Sequence, residues 1–383
     1  MQLIRGRARR FATPQQLTAL LAALLVALLP TRTASADETS GTWTGALEGR
    51  GNYYWERSTR VIVPAVAAEL ASPAGVRVGA SYLLDVITSA SIASGVSKDG
   101  LFTETRNAFH GNVGDTFELG NKQLEVSLLG GYSTENDYTS LLYGFESSLS
   151  LNDKDTKLSL FGTRIQDHIT SNADATFDGH LDGLTTGITL EQVINPVLVL
   201  SVGYQLGYLH GFLGNAYRRA LFASNAPERE APPESRVRHS ASARLAWMIP
   251  ETNTALHLLY TAYADSWDIA ALSPEVRVYQ QFGRDLLLRP RYRLYTQTHA
   301  YFAPPPDGKY PAGYTGPTTN DPKLTTFHTH TLGLAAEYRL SFLTNSVFDF
   351  AKDAWIDIGF DRYWNTNAFG NGIIATAGGR ITF

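Results

Sequence analysis

Arg289, Arg291 and Arg293 recur at every second position of the stretch LLLRPRYRLYTQTHAYF, residues Leu286–Phe302. Three guanidiniums at that spacing could line a path for anions, as rings of charged side chains do in pores. Tyr295, Gln297 and His299 continue their side, whereas Leu286, Leu288, Pro290, Tyr292 and Leu294 fall on the other. Side chains of a strand alternate between faces, so the stretch reads as a ribbon with one greasy and one cationic face. The same parity gathers more charge on neighbouring segments: Arg236, Arg238 and Arg244, then Asp265, then Glu275 with Arg277, and Glu337 with Arg339. Near the start of the chain Glu48, Arg50, Asp85, Glu104 and Arg106 take the equivalent face. The candidate constriction residues are therefore Asp85, Arg106, Arg236, Arg238, Asp265, Arg291, Arg293, Glu337 and Arg339. Mixed signs leave two accounts open: a salt-bridged wall that braces itself, or an anion-attracting constriction.

Other chemistries have less behind them. His328-Thr329-His330 puts two imidazoles on one face of a strand, but that face also carries Leu332, Leu334 and Tyr338. It reads as an outward, interfacial position and not as a metal site. The chain has no cysteine, which removes thiolate metal sites, thiol nucleophiles and disulfides. Strand parity brings no Ser, His and acid together, and Gly203 and Gly207 lack any phosphate-loop context. No catalytic residue, metal or cofactor is expected.

The elements that must position the charged face are strands. Sixteen are predicted, within a range of 14–18: 43–55, 60–70, 76–87, 102–117, 122–133, 138–151, 156–170, 179–193, 197–212, 236–249, 254–265, 269–282, 286–302, 326–342, 355–364 and 370–383. Each is long enough to cross a bilayer at a tilt, and charges on a lipid-facing side would cost a few kcal/mol each, so they must point inward. Mean hydropathy is −0.14, as alternation of apolar and polar residues requires, with 19 Tyr, 18 Phe and 33 Gly. A β-sandwich would turn every eight to twelve residues; here the strand-and-turn unit is nearer twenty.

Residues 1–36 read as a helical, cleavable signal peptide: Arg5, Arg7, Arg9 and Arg10, an apolar run Leu17–Leu29, and a small-residue cleavage pattern ending at Ala36. Removing it turns 32 basic residues into 27 against 36 acidic, a net charge of −9 that argues against nucleic acid. Residues 37–383 then form one all-β, antiparallel transmembrane barrel with both termini periplasmic. With that orientation the three longest loops, 88–101, 213–235 and 303–323, all fall outside, and the inner connections are short except 343–354. The terminal Phe383, with Ile381 two residues before it, resembles the signal that barrel-assembly machinery reads.

Several motifs resemble an uncharacterised family of Gram-negative outer-membrane proteins, domain of unknown function 3570. They are the run Tyr82–Ser91 (YLLDVITSAS), Arg236-Val237-Arg238-His239, Tyr263-Ala264-Asp265-Ser266-Trp267, Pro290–Gln297 (PRYRLYTQ) and Ala300-Tyr301-Phe302. Where that family commonly has Gly-Ala-Ser after the aspartate, this chain has Ser89-Ala90-Ser91. The resemblance implies a barrel in the outer membrane among lipid and lipopolysaccharide, and no activity. On these grounds the expected function is a non-enzymatic, porin-like channel or transporter for a small polar or anionic solute. A plugged structural barrel or docking platform is the alternative, and an outer-membrane hydrolase a distant third.

Overall fold

The computed structural model describes residues 42–57, 59–89, 102–224 and 227–383. The predicted signal peptide, its cleavage point Ala36 and most of the first long loop lie outside the described residues. The strands are β1 (Thr44–Glu56), β2 (Thr59–Ala71), β3 (Arg77–Ser89), β4 (Phe102–Leu119), β5 (Lys122–Thr134), β6 (Tyr138–Leu151), β7 (Thr156–Ile169), β8 (Gly179–Asn195) and β9 (Leu198–Gly211). After a loop holding the two-residue pair β10 (Arg219–Ala220) and β11 (Glu228–Arg229) come β12 (Ser235–Ile249), β13 (Thr254–Asp265), β14 (Ala270–Phe282) and β15 (Leu286–Gln297). β16 (Phe327–Arg339), β17 (Trp355–Asn365) and β18 (Gly372–Thr382) complete the order. Sixteen of these form one closed antiparallel barrel in sequence order, sealed by β1 against β18.

Closure satisfies every ladder edge, which a sheet in hydrocarbon must do. The outward parity supplies the matching surface. Leu184, Ile188, Tyr204, Leu258, Val276, Leu332, Leu334, Ile358 and Phe360 are all exposed on it. Ile358 is 65% exposed although it lies mid-strand, the reverse of a packed core. An apolar belt facing outward around a polar interior is the pattern of a transmembrane barrel. At the belt's margin, tyrosine hydroxyls meet outward histidines: Tyr204 with His239 and Tyr292 with His330, each at 2.7 Å.

Short connections gather at one end of the barrel, together with the start of β1 and the end of β18. Gly75, Gly120 and Gly283 occupy the left-handed region in those turns, where a side chain would be strained. The opposite end carries the long loops. Those after β9 and β15 fold onto one another through bridges Phe222–Tyr310 and Ala231–Thr318. Trp267 and Ile269 of the β13–β14 turn pack with Ala300, Phe302 and Leu324 of the loop after β15 in one core, and Ala220, Phe222 and Tyr310 form a second cluster between the two long loops.

That loop core shortens one predicted strand. The stretch from Leu286 stops at Gln297 instead of reaching Phe302. Gln297 donates to the carbonyls of Lys323 and Thr325 at 2.8 Å, the Ala300 N–H turns to Leu324, and Phe302 is buried against Trp267. His299, which alternation assigns to the cationic face, lies in the loop and meets Thr326 Oγ1 at 3.1 Å.

Candidate functional site in the lumen

The inward parity places Glu48, Arg50, Asp85, Arg106, Arg236, Arg238, Asp265, Arg291, Arg293, Glu337 and Arg339 on strands lining the interior. Among the described residues, ion pairs within the barrel wall join positions on one strand, as in Arg50–Glu48 and Arg277–Glu275, or adjacent or next-but-one strands, and none spans the lumen. Asp85 holds Arg106 at 2.5 Å across the β3–β4 register. Glu337 faces Arg289 at 3.5 Å, and Arg339 pairs with Asp353 of the following loop. Arg244 reaches Glu191 at 2.5 Å over the small Ser201 of β9.

Arg291 is held most firmly. Its Nε and one terminal nitrogen each donate to Asp361 at 2.8 Å, and Glu275 lies 3.6 Å away. The pair links β15 to β17 over Gly333 of β16, where an added Cβ would overlap the Asp361 carboxylate. Arg50 crosses in the same way over Gly378 to Asp357, 3.3 Å away. At these two crossings glycine on the intervening strand is what leaves room for the charge pair to lie against the wall, as the small Ser201 does under Arg244 and Glu191.

Arg236 and Asp265 form a hub at the loop end. Arg236 Nε donates to Asp265 at 2.8 Å, and its guanidinium sits 4.2 Å over the Trp267 ring. Asp265 also accepts from Tyr263 Oη at 2.6 Å and from the N–H groups of Trp267 and Ile269. It therefore fastens the β13–β14 turn as well as neutralising Arg236.

Two lumen arginines of the strands differ from all the others. Arg238 and Arg293 have no carboxylate within ion-pair distance among the described residues; Arg293 Nε donates to Ser273 Oγ at 2.7 Å, and Arg238 Nε is buried without a partner. Both line one cavity of about 510 Å³, with Tyr263, Tyr295 and Lys323. Arg236 and Asp321 line it too, each engaged elsewhere, with Asp265 and Arg218 respectively, so the niche carries an excess of positive charge, edged by hydroxyls of Ser240, Thr261 and Ser273.

The niche adjoins a larger mouth chamber of about 1190 Å³, shared by Tyr295, Gln297 and Lys323. The loop after β9 enters this chamber: Gly214–Arg218 line it along with Tyr54 of β1 and Tyr363 of β17. Tyr217 Oη donates to Asp137 and accepts from the Asn172 N–H at 2.9 Å, and Arg229 pairs with Asp174 at 2.6 Å. Thr176 and Arg229 together hold Asp174 down at about 2. On the chamber's far flank Glu104, Glu135 and Asp137 converge. Burial raises the Glu135 carboxyl above its ordinary range, Arg106 opposes this, and Asp137 and Asp85 add to it. In strand order β4 stands eight places from β14, and β5 eight from β15, in a ring of sixteen. The acidic and cationic flanks therefore face one another. At the short-turn end a third chamber of about 940 Å³ carries Glu69, Arg77, Glu125, Lys157 and Arg380.

Glu135 and Asp137 of the acidic flank, Tyr217, Lys323 and the two glycines under the ion pairs are the components that alternation alone does not assign, whereas Glu104 follows from it. Glu135, Asp137 and Tyr217 sit in loops, where parity has no meaning. His328 and His330 face outward, their rings 5.8 Å apart edge to face.

Similar architectures occur among solved structures. The siderophore receptor PirA from Acinetobacter baumannii is 10% identical, with a TM-score of 0.45 over 86% of this chain, which spans only 54% of that receptor. OccAB1 from the same organism is 9% identical (TM-score 0.45, 92% of this chain and 99% of that one). The outer membrane protein OprD from Pseudomonas aeruginosa is 10% identical (TM-score 0.43, 89% and 94%). A search of the curated proteins finds no match. A family model matches residues 85–376, a span that holds the hub, the niche and the acidic flank, and the chain belongs to that family, described as protein of unknown function (DUF3570).

Proposed function

We propose that this barrel is an outer-membrane channel that admits small polar solutes and favours anions at the Arg238–Arg293 niche. The long-loop end would face the cell exterior and the short turns and both termini the periplasm, as in outer-membrane barrels generally. The observation that carries the reading is the pairing pattern. Among the described residues, ten lumen arginines of the strands, including Arg106, Arg236, Arg291 and Arg339, are matched by acids, while the two without an acid in ion-pair reach share one cavity below the mouth. A wall needing only bracing has no use for uncompensated charge. A ring of sixteen strands is also wide enough to leave water inside it.

Paired arginines hold the wall, and the niche selects. A solute entering the mouth would cross a transverse field, acidic on the β4–β5 side and cationic on the β14–β15 side. The loop carrying Tyr217 would set the width. Planar-bilayer recording of the purified barrel tests this. Discrete openings are expected, with a reversal potential that moves toward cations in Arg238→Gln with Arg293→Gln. The paired Arg291→Gln is expected to change selectivity less. A folded barrel that never conducts would overturn the reading, as would a double variant with unaltered selectivity.

A further inference from the structure

Outside the lumen, at the long-loop end, the wall carries three metal-ligating side chains in one place. His168 of β7 and His180 of β8 are directly opposed in the antiparallel register. Such partners have Cβ atoms about 5 Å apart on the same face, and here the rings stack with centroids 5.0 Å apart. Asp178, two residues before His180, brings its carboxylate between them. Its Oδ1 lies 2.8 Å from His168 Nε2 and 3.8 Å from His180 Nδ1. We infer that His168, Asp178 and His180 form a surface site for a divalent transition-metal ion of the zinc class.

The geometry fits that ion. Donors about 2.0–2.1 Å from a tetrahedral centre lie roughly 3.3–3.5 Å from one another. The two observed separations bracket this, and one donor atom from each residue fits within a mutual 4.8 Å. Side-chain rotation within that span brings the donors to a common centre, and the ion takes the place of the His168–Asp178 hydrogen bond. The three side chains are 42%, 67% and 65% exposed in chain order, so coordination positions remain open to water. The next row toward the membrane does not compete: Asp182 is already engaged by Arg164 at 3.1 Å and Gln166 at 3.3 Å. Two imidazoles with one carboxylate suit zinc, nickel or copper, whereas magnesium and calcium prefer all-oxygen sets. The position is just beyond the apolar belt residues Leu184 and Ile188 of the same strand. An ion there would sit at headgroup depth and not in the solute path.

The test uses the full-length barrel, folded in detergent without a histidine tag and stripped with chelator. Zinc is titrated calorimetrically and, separately, against a chromophoric chelator. One saturable site is expected, weakened about tenfold or more in His168→Ala and in His180→Ala, following the loss seen when metal-site partners are removed. Asp178→Asn should weaken it too, and His328→Ala should leave it intact. Heat-modifiable gel migration establishes that each variant is folded, and His180→Asn serves should an alanine variant fail. No saturable zinc uptake, uptake that survives His168→Ala with His180→Ala, or equal displacement by magnesium would each overturn the assignment.

Discussion

Substituting Gly333 by alanine asks whether the wall's ion pairs depend on glycine beneath them. A Cβ at this position would overlap the Asp361 carboxylate and stand 3.0 Å from Arg291 Nε, so Asp361 must swing away. Two charge-assisted hydrogen bonds are then lost, each worth ~1.5–3 kcal/mol when well buried. Arg291 and Asp361 are 31% and 16% exposed to the lumen, and Glu275 remains at 3.6 Å as a substitute partner. Screening by water reduces the net loss to roughly 1–2 kcal/mol. The control is Gly49→Ala, where nothing lies within 4 Å of the added carbon. Alanine there should gain ~0.5–1 kcal/mol, the usual cost of a strand glycine. The two variants should thus differ by about 2 kcal/mol in guanidinium unfolding from lipid vesicles, followed by tryptophan fluorescence. In an Asp361→Ala background, where the pair is already gone, Gly333→Ala should cost little further, because its main clash partner is absent. Gly333→Ala matching Gly49→Ala in stability would refute this account of the wall.

Three further outcomes follow from the same structure. Leu332→Arg, on the belt midway along β16, should cost ~2–4 kcal/mol in vesicle unfolding, while Thr331→Arg on the mouth chamber should cost far less. Arg218→Ala strands the Glu230 carboxylate, whose side chain is 1% exposed; local stability of the paired loops should drop by roughly 3 kcal/mol, read as faster limited proteolysis between residues 212 and 234. Glu135 has a folded value above its unfolded one, so its contribution is fully present below the unfolded value and is lost as pH rises through the folded value. The Tyr217–Asp137 contact should therefore hold the mouth narrower in mild acid, giving lower conductance, and Glu135→Gln should keep that state at neutral pH; a variant with the parental pH profile would contradict it.

Most of the barrel was legible because a period of two runs through the strands, broken in β8 only where the register shifts between Val193 and Asn195 among the described pairings. The predicted boundaries fall within two or three residues of the observed ones, apart from β15 and the following β16 end. There the alternation runs on formally through Thr298–Phe302, but Trp267 and Leu324 capture Phe302 into a loop core that no local pattern announces. Inward and outward faces were legible for the same reason, including His328 and His330. Partners were not. Arg291 meets Asp361 seventy positions away, and that contact depends on the register of three strands and on a glycine in the middle one. His168 and His180 could each be read as outward-facing, yet only the β7–β8 register sets them opposite. Glu104 of the acidic flank followed from its strand, but the convergence of Glu135 and Asp137 on it depends on how a loop folds, where periodicity is silent.

The seam between β1 and β18 has a kinetic consequence. Gly45 and Phe383 exchange both backbone hydrogen bonds there, at 2.7 and 2.9 Å, joining residues separated by most of the polypeptide. Until that last zipper engages, both partners present bare edges able to recruit any passing strand. Assembly must consequently be slow and late, with loop-closure entropy met in full before the final ladder repays it. Loosening the seam, by Gly45→Val for instance, would crowd Phe383 across it and Leu70 of the neighbouring β2 while lengthening the time spent vulnerable to misassociation.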